Sequence, residues 1–159
     1  MNRLLQLYKR GAELVCVVLF ATMFGAFLVQ VFTRYVLNDP VSWSMEVALL
    51  AYLWIIFFAG ATIVPINDHI SFDMIYMGSK PRGQRIMALI TSGAILLAFV
   101  AAFPANLDFI TFMAIDTTWI LEIRFDIVFF CFLIFMVAVI IRTFLKFKGL
   151  LSSKWHEEL

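Results

Sequence analysis

The amino-acid sequence predicts an all-α integral membrane protein with about four transmembrane helices. Of its 159 residues, 64% are hydrophobic and 14% are charged, whereas a soluble domain has roughly 45–50% apolar and 25% charged residues. The apolar residues are gathered in uncharged runs, each near the roughly 20 residues that cross a hydrocarbon core of about 30 Å. A soluble fold of this length cannot bury so much apolar surface, so we expect lipid to surround the chain.

We interpret residues 1–159 as a single membrane domain with predicted spans at residues 14–33, 43–66, 86–107 and 127–145. The first span exceeds the roughly 7–15 apolar residues of a signal-peptide core, so we interpret it as a retained signal-anchor helix. Its only strongly polar residue is Gln30. Arg142 falls in the last turn of the fourth span, where its long side chain can extend to the headgroups. Residues 2–13 mix basic residues with leucines, which is typical of an amphipathic interfacial segment.

Turn-forming and polar residues separate the spans. Asn38-Asp39-Pro40 predicts a reversal after the first span, because the residue before a proline avoids helical backbone angles. Residues 67–85 form a polar connector that contains glycine and proline. Pro104 is expected to kink or end the third span. Charges interrupt residues 108–126, so we expect this segment to lie at the membrane interface instead of crossing it.

The placement of basic residues predicts the orientation of the chain. Ten of the twelve lysines and arginines lie before the first span, in the 67–85 connector or from Arg142 onward, and only Arg34 and Arg124 fall on the other side. Because cytoplasmic loops are enriched in Lys and Arg, we expect both termini in the cytoplasm. Residues 34–42 and 108–126 then face outward.

The sequence lacks the patterns of a membrane enzyme, and we expect no catalytic residues, no cofactor and no resident metal. A haem carrier needs histidines on its helices as axial ligands, but His69 and His156 lie outside the spans. Cys16 and Cys131 lie singly in different spans, so we interpret them as core residues and not as a redox pair. The net charge of +1 provides no basic surface for nucleic acid.

Two further sequence patterns could indicate a metal site or a proton-binding carboxylate. His69 and Asp73 are four residues apart and would share a helix face, but two ligands do not make a metal site, so we favour a hydrogen-bonded interfacial cluster. Glu13 and Glu46 are candidates for the membrane carboxylate that a small proton-coupled exporter needs. Both lie near span ends, which favours a structural or headgroup-level role. We therefore expect Glu46 to form an ion pair with Arg34 at the outer interface.

Four short motifs follow one another in the first half of the chain: Arg34-Tyr-Val-Leu-Asn, Trp43-Ser-Met-Glu46, Gly60-Ala61 and His69-Ile-Ser-Phe-Asp73. In this order and spacing they resemble the DctQ family, the small membrane subunits of tripartite ATP-independent periplasmic (TRAP) transporters. The family pattern starts helix two with Trp-x-Glu-Glu, whereas this chain has Met45 in place of the first glutamate. Relatives often have a proline before helix four, where this chain reads Leu121-Glu-Ile-Arg-Phe125.

The resemblance implies an accessory multi-pass subunit in the lipid of a bacterial or archaeal cytoplasmic (inner) membrane, with two protein partners. A large membrane subunit would carry the substrate and sodium sites, and a periplasmic substrate-binding protein would capture the solute. Members of the family import organic acids, including C4-dicarboxylates, other carboxylates and sialic acids, by sodium symport. The present chain would widen the immobile scaffold against which the transport domain of the large subunit moves.

Two sets of residues become candidates for contacts within such a complex. Candidates for structural or interface roles are the motif residues Arg34, Trp43, Glu46, Gly60, His69 and Asp73. Candidates for docking the periplasmic protein are the charged residues of the second outer segment, Asp108, Asp116, Glu122, Arg124 and Asp126.

Two other classes of protein fit the same composition. One is a self-sufficient small transporter that works as a homo-oligomer, with Glu46 as its ion-binding carboxylate. The other is an assembly or regulatory membrane protein that moves no solute. Only the TRAP-like class requires a specific larger membrane partner, so co-purification from native membranes separates the three.

Overall fold

Four long helices make up most of the structure. The computed structural model describes residues 2–64 and 80–152, with side chains from residue 6 onward. The helices are α1 (Asn2–Tyr35), α2 (Ser42–Thr62), α3 (Pro81–Phe112) and α4 (Phe125–Leu151), and a short 3-10 helix (Met113–Ile115) follows α3. Over the described ranges, these four α-helices are long and apolar enough to cross a membrane. The predicted all-α fold with four transmembrane helices is confirmed.

α1 joins the predicted interfacial segment and the first predicted span in one unbroken helix. Its 34 residues measure about 51 Å at a rise of 1.5 Å per residue, which exceeds the hydrocarbon thickness of about 30 Å. No break in the helix separates residues 2–13 from the rest of α1. The depth of these first residues in the bilayer stays a prediction.

The predicted reversal after the first span is confirmed. α1 ends at Tyr35, and Asn38 has a φ of 52°, a left-handed conformation that asparagine adopts more readily than most residues. The backbone N–H of Asp39 donates to Thr33 O at 3.1 Å. This bond satisfies one of the carbonyls that a helix leaves free at its C-terminal end. α2 then begins at Ser42.

α3 continues through Pro104 and ends only at Phe112. The expectation that Pro104 could end the third span is therefore wrong, and the first residues of segment 108–126 are helical. Two residues after the proline, Asn106 Nδ2 donates to Ala102 O at 2.8 Å. Side-chain hydrogen bonds of this kind help a membrane helix to tolerate proline, which lacks a backbone N–H.

α2 and α4 form the centre of the structure. α1 packs on α2, α2 packs on α4, and α4 packs on α3, so the packing order differs from the chain order. Phe57 of α2 meets Phe132 of α4 edge to face at a centroid distance of 5.1 Å, and Phe99 of α3 lies 6.3 Å from Phe135 of α4. These ring pairs join three helices near their middle. Cys131 is fully buried on α4, as expected of a core residue.

We expect the loop between α3 and α4 to face the side opposite to both termini, because of the basic-residue count. Trp119 in this loop is 96% exposed, so Trp119→Cys provides an accessible label in a chain whose Cys16 and Cys131 are replaced by alanine. A membrane-impermeant maleimide should label position 119 in intact spheroplasts. It should label Lys148→Cys only after the membrane is broken. The reverse pattern would show that the orientation is wrong.

Candidate functional site

Glu46 ties the start of α2 to the α3–α4 loop, residues 116–124. It lies one turn into α2. Its Oε2 accepts hydrogen bonds from the backbone N–H groups of Ile120 at 3.1 Å and Leu121 at 3.2 Å. Hydrogen bonds to an ionised acceptor are roughly twice as strong as neutral ones. The carboxylate therefore holds two consecutive loop residues against α2.

The second carboxylate oxygen of Glu46 is covered by the protein. Oε1 is buried and has no hydrogen-bond partner among the described residues, while the side chain as a whole is half-buried. Exclusion of solvent lowers the local dielectric constant, which strengthens the two bonds to Oε2 and raises the cost of leaving Oε1 unpaired. Glu46 thus acts as a partly desolvated contact beneath the loop and not as a solvated surface charge.

The loop is also closed by its own hydrogen bonds. The N–H of Thr118 donates to Ile123 O at 2.9 Å, and Thr118 Oγ1 accepts from the N–H of Ile123 at 3.0 Å. Thr118 is buried, whereas Trp119 beside it is almost fully exposed. Glu122 has a φ of 52°, so the chain reverses through a left-handed residue that is not glycine. The loop is a closed turn with Trp119 near its tip.

The expected ion pair between Arg34 and Glu46 is wrong, because Glu46 binds the loop amides. Arg34 is exposed in the last turn of α1, and its guanidinium carbon lies 5.8 Å from the centroid of the Tyr35 ring, a cation–π contact. The sequence argument considered only charged partners at a similar membrane depth. Backbone N–H groups from a distant loop leave no comparable signal.

Two further motif residues lie elsewhere on α2. Trp43 is exposed in the first turn, and Gly60 is half-buried near the C-terminal end. His69 and Asp73 lie outside the described residues. Within residues 2–64 and 80–152, no three His, Cys, Asp or Glu side chains come together as a metal site would require.

The predicted docking residues are spread over α3, the loop and the start of α4. Asp108 is exposed on α3, and Asp116 and Glu122 are exposed in the loop. Arg124 and Asp126 form an ion pair, with Nη2 and Oδ2 2.7 Å apart and more than half of the Arg124 side chain exposed. Such exposed pairs contribute little to stability. These charges are therefore available for contacts with other molecules.

A polar contact between α1 and α2 was not predicted from the sequence. Ser44 is fully buried, and its hydroxyl lies within hydrogen-bonding distance of Gln30 Oε1 and of Val41 O. Thr33 is also buried, and its Oγ1 accepts from the N–H of Val41 at 3.5 Å. The available signal was Gln30, because a strongly polar side chain within a span needs a partner.

At the opposite end of the helices, two arginines bind backbone carbonyls of other elements. Arg142 of α4 donates from Nη1 to Val64 O at 2.8 Å and from Nη2 to Thr62 O at 3.3 Å. Arg85 of α3 donates from Nε to Leu150 O at 3.0 Å. The last carbonyls of a helix carry partial negative charge and need donors. The guanidinium of Arg142 therefore caps the C-terminal end of α2, and its extension to the headgroups stays a prediction.

Residues 23–152 match the family described as tripartite ATP-independent periplasmic transporters, DctQ component. The match includes the C-terminal part of α1, from residue 23 onward, and all of α2, α3, the α3–α4 loop and α4. The chain belongs to the DctQ family. The family inferred from the four short motifs is therefore confirmed, and the Glu46 contact lies within the matched region.

A relative of this DctQ chain occurs in Haemophilus influenzae (strain ATCC 51907 / DSM 11121 / KW20 / Rd) and carries the provisional name TRAP transporter small permease protein. The two proteins are 25% identical over 97 residues, which are 61% of this chain and 60% of the relative. The matched region thus spans about 60% of the length of the relative. A small permease is a transporter subunit and not a class of enzyme.

An apolar groove of about 350 Å³ lies between α1, α2, the α3–α4 loop and α4 of this DctQ chain. Its lining residues are Leu19, Val47, Leu50, Ala51, Trp54, Leu121, Ile123, Ile127 and Val128. Recognition of a carboxylate needs cations or several hydrogen-bond donors. The lining side chains carry no charge and provide one donor, the indole N–H of Trp54. The groove suits apolar contact and not recognition of an organic acid.

Replacing Arg142 should loosen the packing of α4 against α2. In Arg142→Met the carbonyls of Thr62 and Val64 lose their donors, and a hydrogen bond to a charged group contributes about 1.5–3 kcal/mol. We expect a lower unfolding temperature in mild detergent. Arg142→Lys keeps the charge but loses the forked donor geometry, so its loss should be intermediate. Lys148→Met, an exposed site on the same helix, is the control. Equal losses in the Arg142→Met and Lys148→Met variants would contradict a specific cap.

Proposed function

We propose that this chain is the accessory membrane subunit of a sodium-coupled TRAP-type transporter in the cytoplasmic (inner) membrane. The transporter would import an organic acid: a C4-dicarboxylate, another carboxylate or a sialic acid. The observation that carries the proposal is the DctQ match over residues 23–152. The small permease name of the Haemophilus influenzae relative supports the same role.

The proposed partners are a large membrane subunit with the substrate and sodium sites, and a periplasmic substrate-binding protein. Two features of the chain support this division of labour. Its apolar groove has no charged lining residue. Glu46, the ion-binding carboxylate of the homo-oligomeric alternative, already accepts two loop N–H groups through Oε2. A cation that bound Oε2 would compete with the contacts that hold the loop.

The helix arrangement supports the scaffold role. α2 and α4 are central, while α1 and α3 each pack on one of them. Both outer helices expose large apolar side chains, among them Phe20 and Phe24 on α1 and Ile90 and Leu97 on α3. In a membrane such faces contact lipid or a partner helix. A broad set of helices of this kind would resist tilting when a neighbouring transport domain moves.

We assign docking of the substrate-binding protein to the α3–α4 loop and the adjoining turn of α3. Asp108, Asp116 and Glu122 are exposed there, so they present negative charge on the side opposite to the predicted cytoplasmic termini. Charges of opposite sign on a partner would speed its association and fix its orientation.

Reconstitution in liposomes tests the accessory role. The solute is first recovered from the purified substrate-binding protein and identified by mass spectrometry. With an inward sodium gradient, we expect uptake only when this chain, the large subunit and the substrate-binding protein are all present. Sodium-driven uptake by this chain alone would support the homo-oligomeric transporter instead. Full uptake without this chain would show that it is dispensable.

Neutralising the exposed acids should weaken docking. In the triple variant Asp108→Asn, Asp116→Asn, Glu122→Gln, we expect the half-saturating concentration of fluorescently labelled substrate-binding protein on the nanodisc-embedded complex to rise several-fold. The effect should shrink at high salt, because exposed charges are screened. Glu13→Gln changes an exposed carboxylate on α1 and serves as the control. Unchanged docking in the triple variant would refute the assignment of this loop.

A further inference from the structure

We infer that Glu46 is the positioning residue that fixes the α3–α4 loop in the shape that the substrate-binding protein contacts. The inference rests on the proposed docking function of this loop. It assigns Glu46 neither to solute binding nor to ion coupling, but to the presentation of a binding surface made by other residues.

The base and the outer part of the α3–α4 loop are held by different contacts. Its internal bonds lie at its base, where Thr118 pairs with Ile123 and the N–H of Phe125 donates to Asp116 O at 3.1 Å. Residues 119–122 lie beyond these bonds. Glu46 binds the N–H groups of the two residues in the middle of this outer part. It therefore stabilises the part of the loop that the base contacts do not reach.

Glu46 connects the loop to a helix outside the two that flank it. The loop is covalently joined to α3 and α4, whereas Glu46 lies on α2, which packs on both α1 and α4. Leu121 and Ile123 of the loop line the same apolar groove as Val47 of α2. The loop therefore meets α2 through charge-assisted hydrogen bonds, and apolar side chains of both elements line one groove beside them. This combination fixes its position relative to the central helices and not only relative to its own ends.

The Glu46 contact lies beside an unfavourable backbone conformation in the loop. Glu122, which directly follows the bound N–H of Leu121, has a φ of 52°. A left-handed conformation is unfavourable for a residue other than glycine, asparagine or aspartate and persists only when its surroundings enforce it. Loss of the Glu46 bonds should therefore let residues 119–122 relax, which would change how the side chains of Trp119 and Glu122 are presented.

Hydrogen–deuterium exchange of the assembled complex in nanodiscs tests the contact itself. In Glu46→Ala, the amides of Ile120 and Leu121 should exchange about tenfold faster or more, because each loses a hydrogen bond to a charged acceptor. Glu46→Gln keeps one acceptor oxygen, so its effect should be smaller. Glu13→Ala is the matched control and should exchange as the unmodified chain does. Unchanged exchange in Glu46→Ala overturns the inference.

Docking of the labelled substrate-binding protein on the same complexes tests the consequence. We expect the half-saturating concentration to rise in Glu46→Ala, to rise less in Glu46→Gln, and to stay constant in Glu13→Ala. If only the triple loop variant weakens docking, the loop is the docking surface but Glu46 does not position it, and the inference is wrong. If the triple variant docks normally, the proposed docking function fails, and this inference fails with it.

Discussion

Hydrocarbon provides no hydrogen-bonding partner, so polar groups of a membrane chain have to be satisfied within the protein or at the two interfaces. The polar contacts between helices described above obey this constraint. Glu46 and Ser44 make theirs at the N-terminal end of α2, and Arg142 and Arg85 make theirs at the C-terminal ends of α2 and α4. Between these ends the helices meet through apolar side chains, including the pair Phe57 and Phe132. The helices are therefore held together by hydrogen bonds near their ends and by aromatic packing between those ends.

α2 takes part in most of these polar contacts. With 21 residues it measures about 31 Å, close to the hydrocarbon thickness. In a membrane-spanning orientation both of its ends would lie near an interface, where charges are tolerated. Glu46 joins its first turns to the α3–α4 loop, and Arg142 joins its last carbonyls to α4. α2 also packs on both α1 and α4. α2 is therefore held at both ends. It helps to fix the position of the longer helix α1, which packs on it, and of α3, which packs on α4.

The four spans could be predicted because long uncharged runs have one stable solution in a bilayer. Asn38-Asp39-Pro40 marked the first reversal because the residue before a proline avoids helical backbone angles. The partners of the charged residues could not be predicted. Glu46 binds N–H groups 74 and 75 residues away, and any non-proline residue could supply them. Arg142 was interpreted by its own position, whereas its contact depends on where α2 ends. Pro104 failed as a helix-ending signal because a packed membrane helix can continue past proline.

Of the two motif positions 45 and 46, only the second carries a glutamate in this chain, and its contacts suit the proposed accessory role. The motif that this chain resembles has two glutamates, but Met45 occupies the first position and is 58% exposed on α2. Glu46 at the second position carries the contact with the loop. A carboxylate that already accepts two N–H groups, with its other oxygen buried, is poorly suited to load and release an ion in each transport cycle. It is well suited to hold a surface in place, which is what a subunit that supports transport by a larger partner needs.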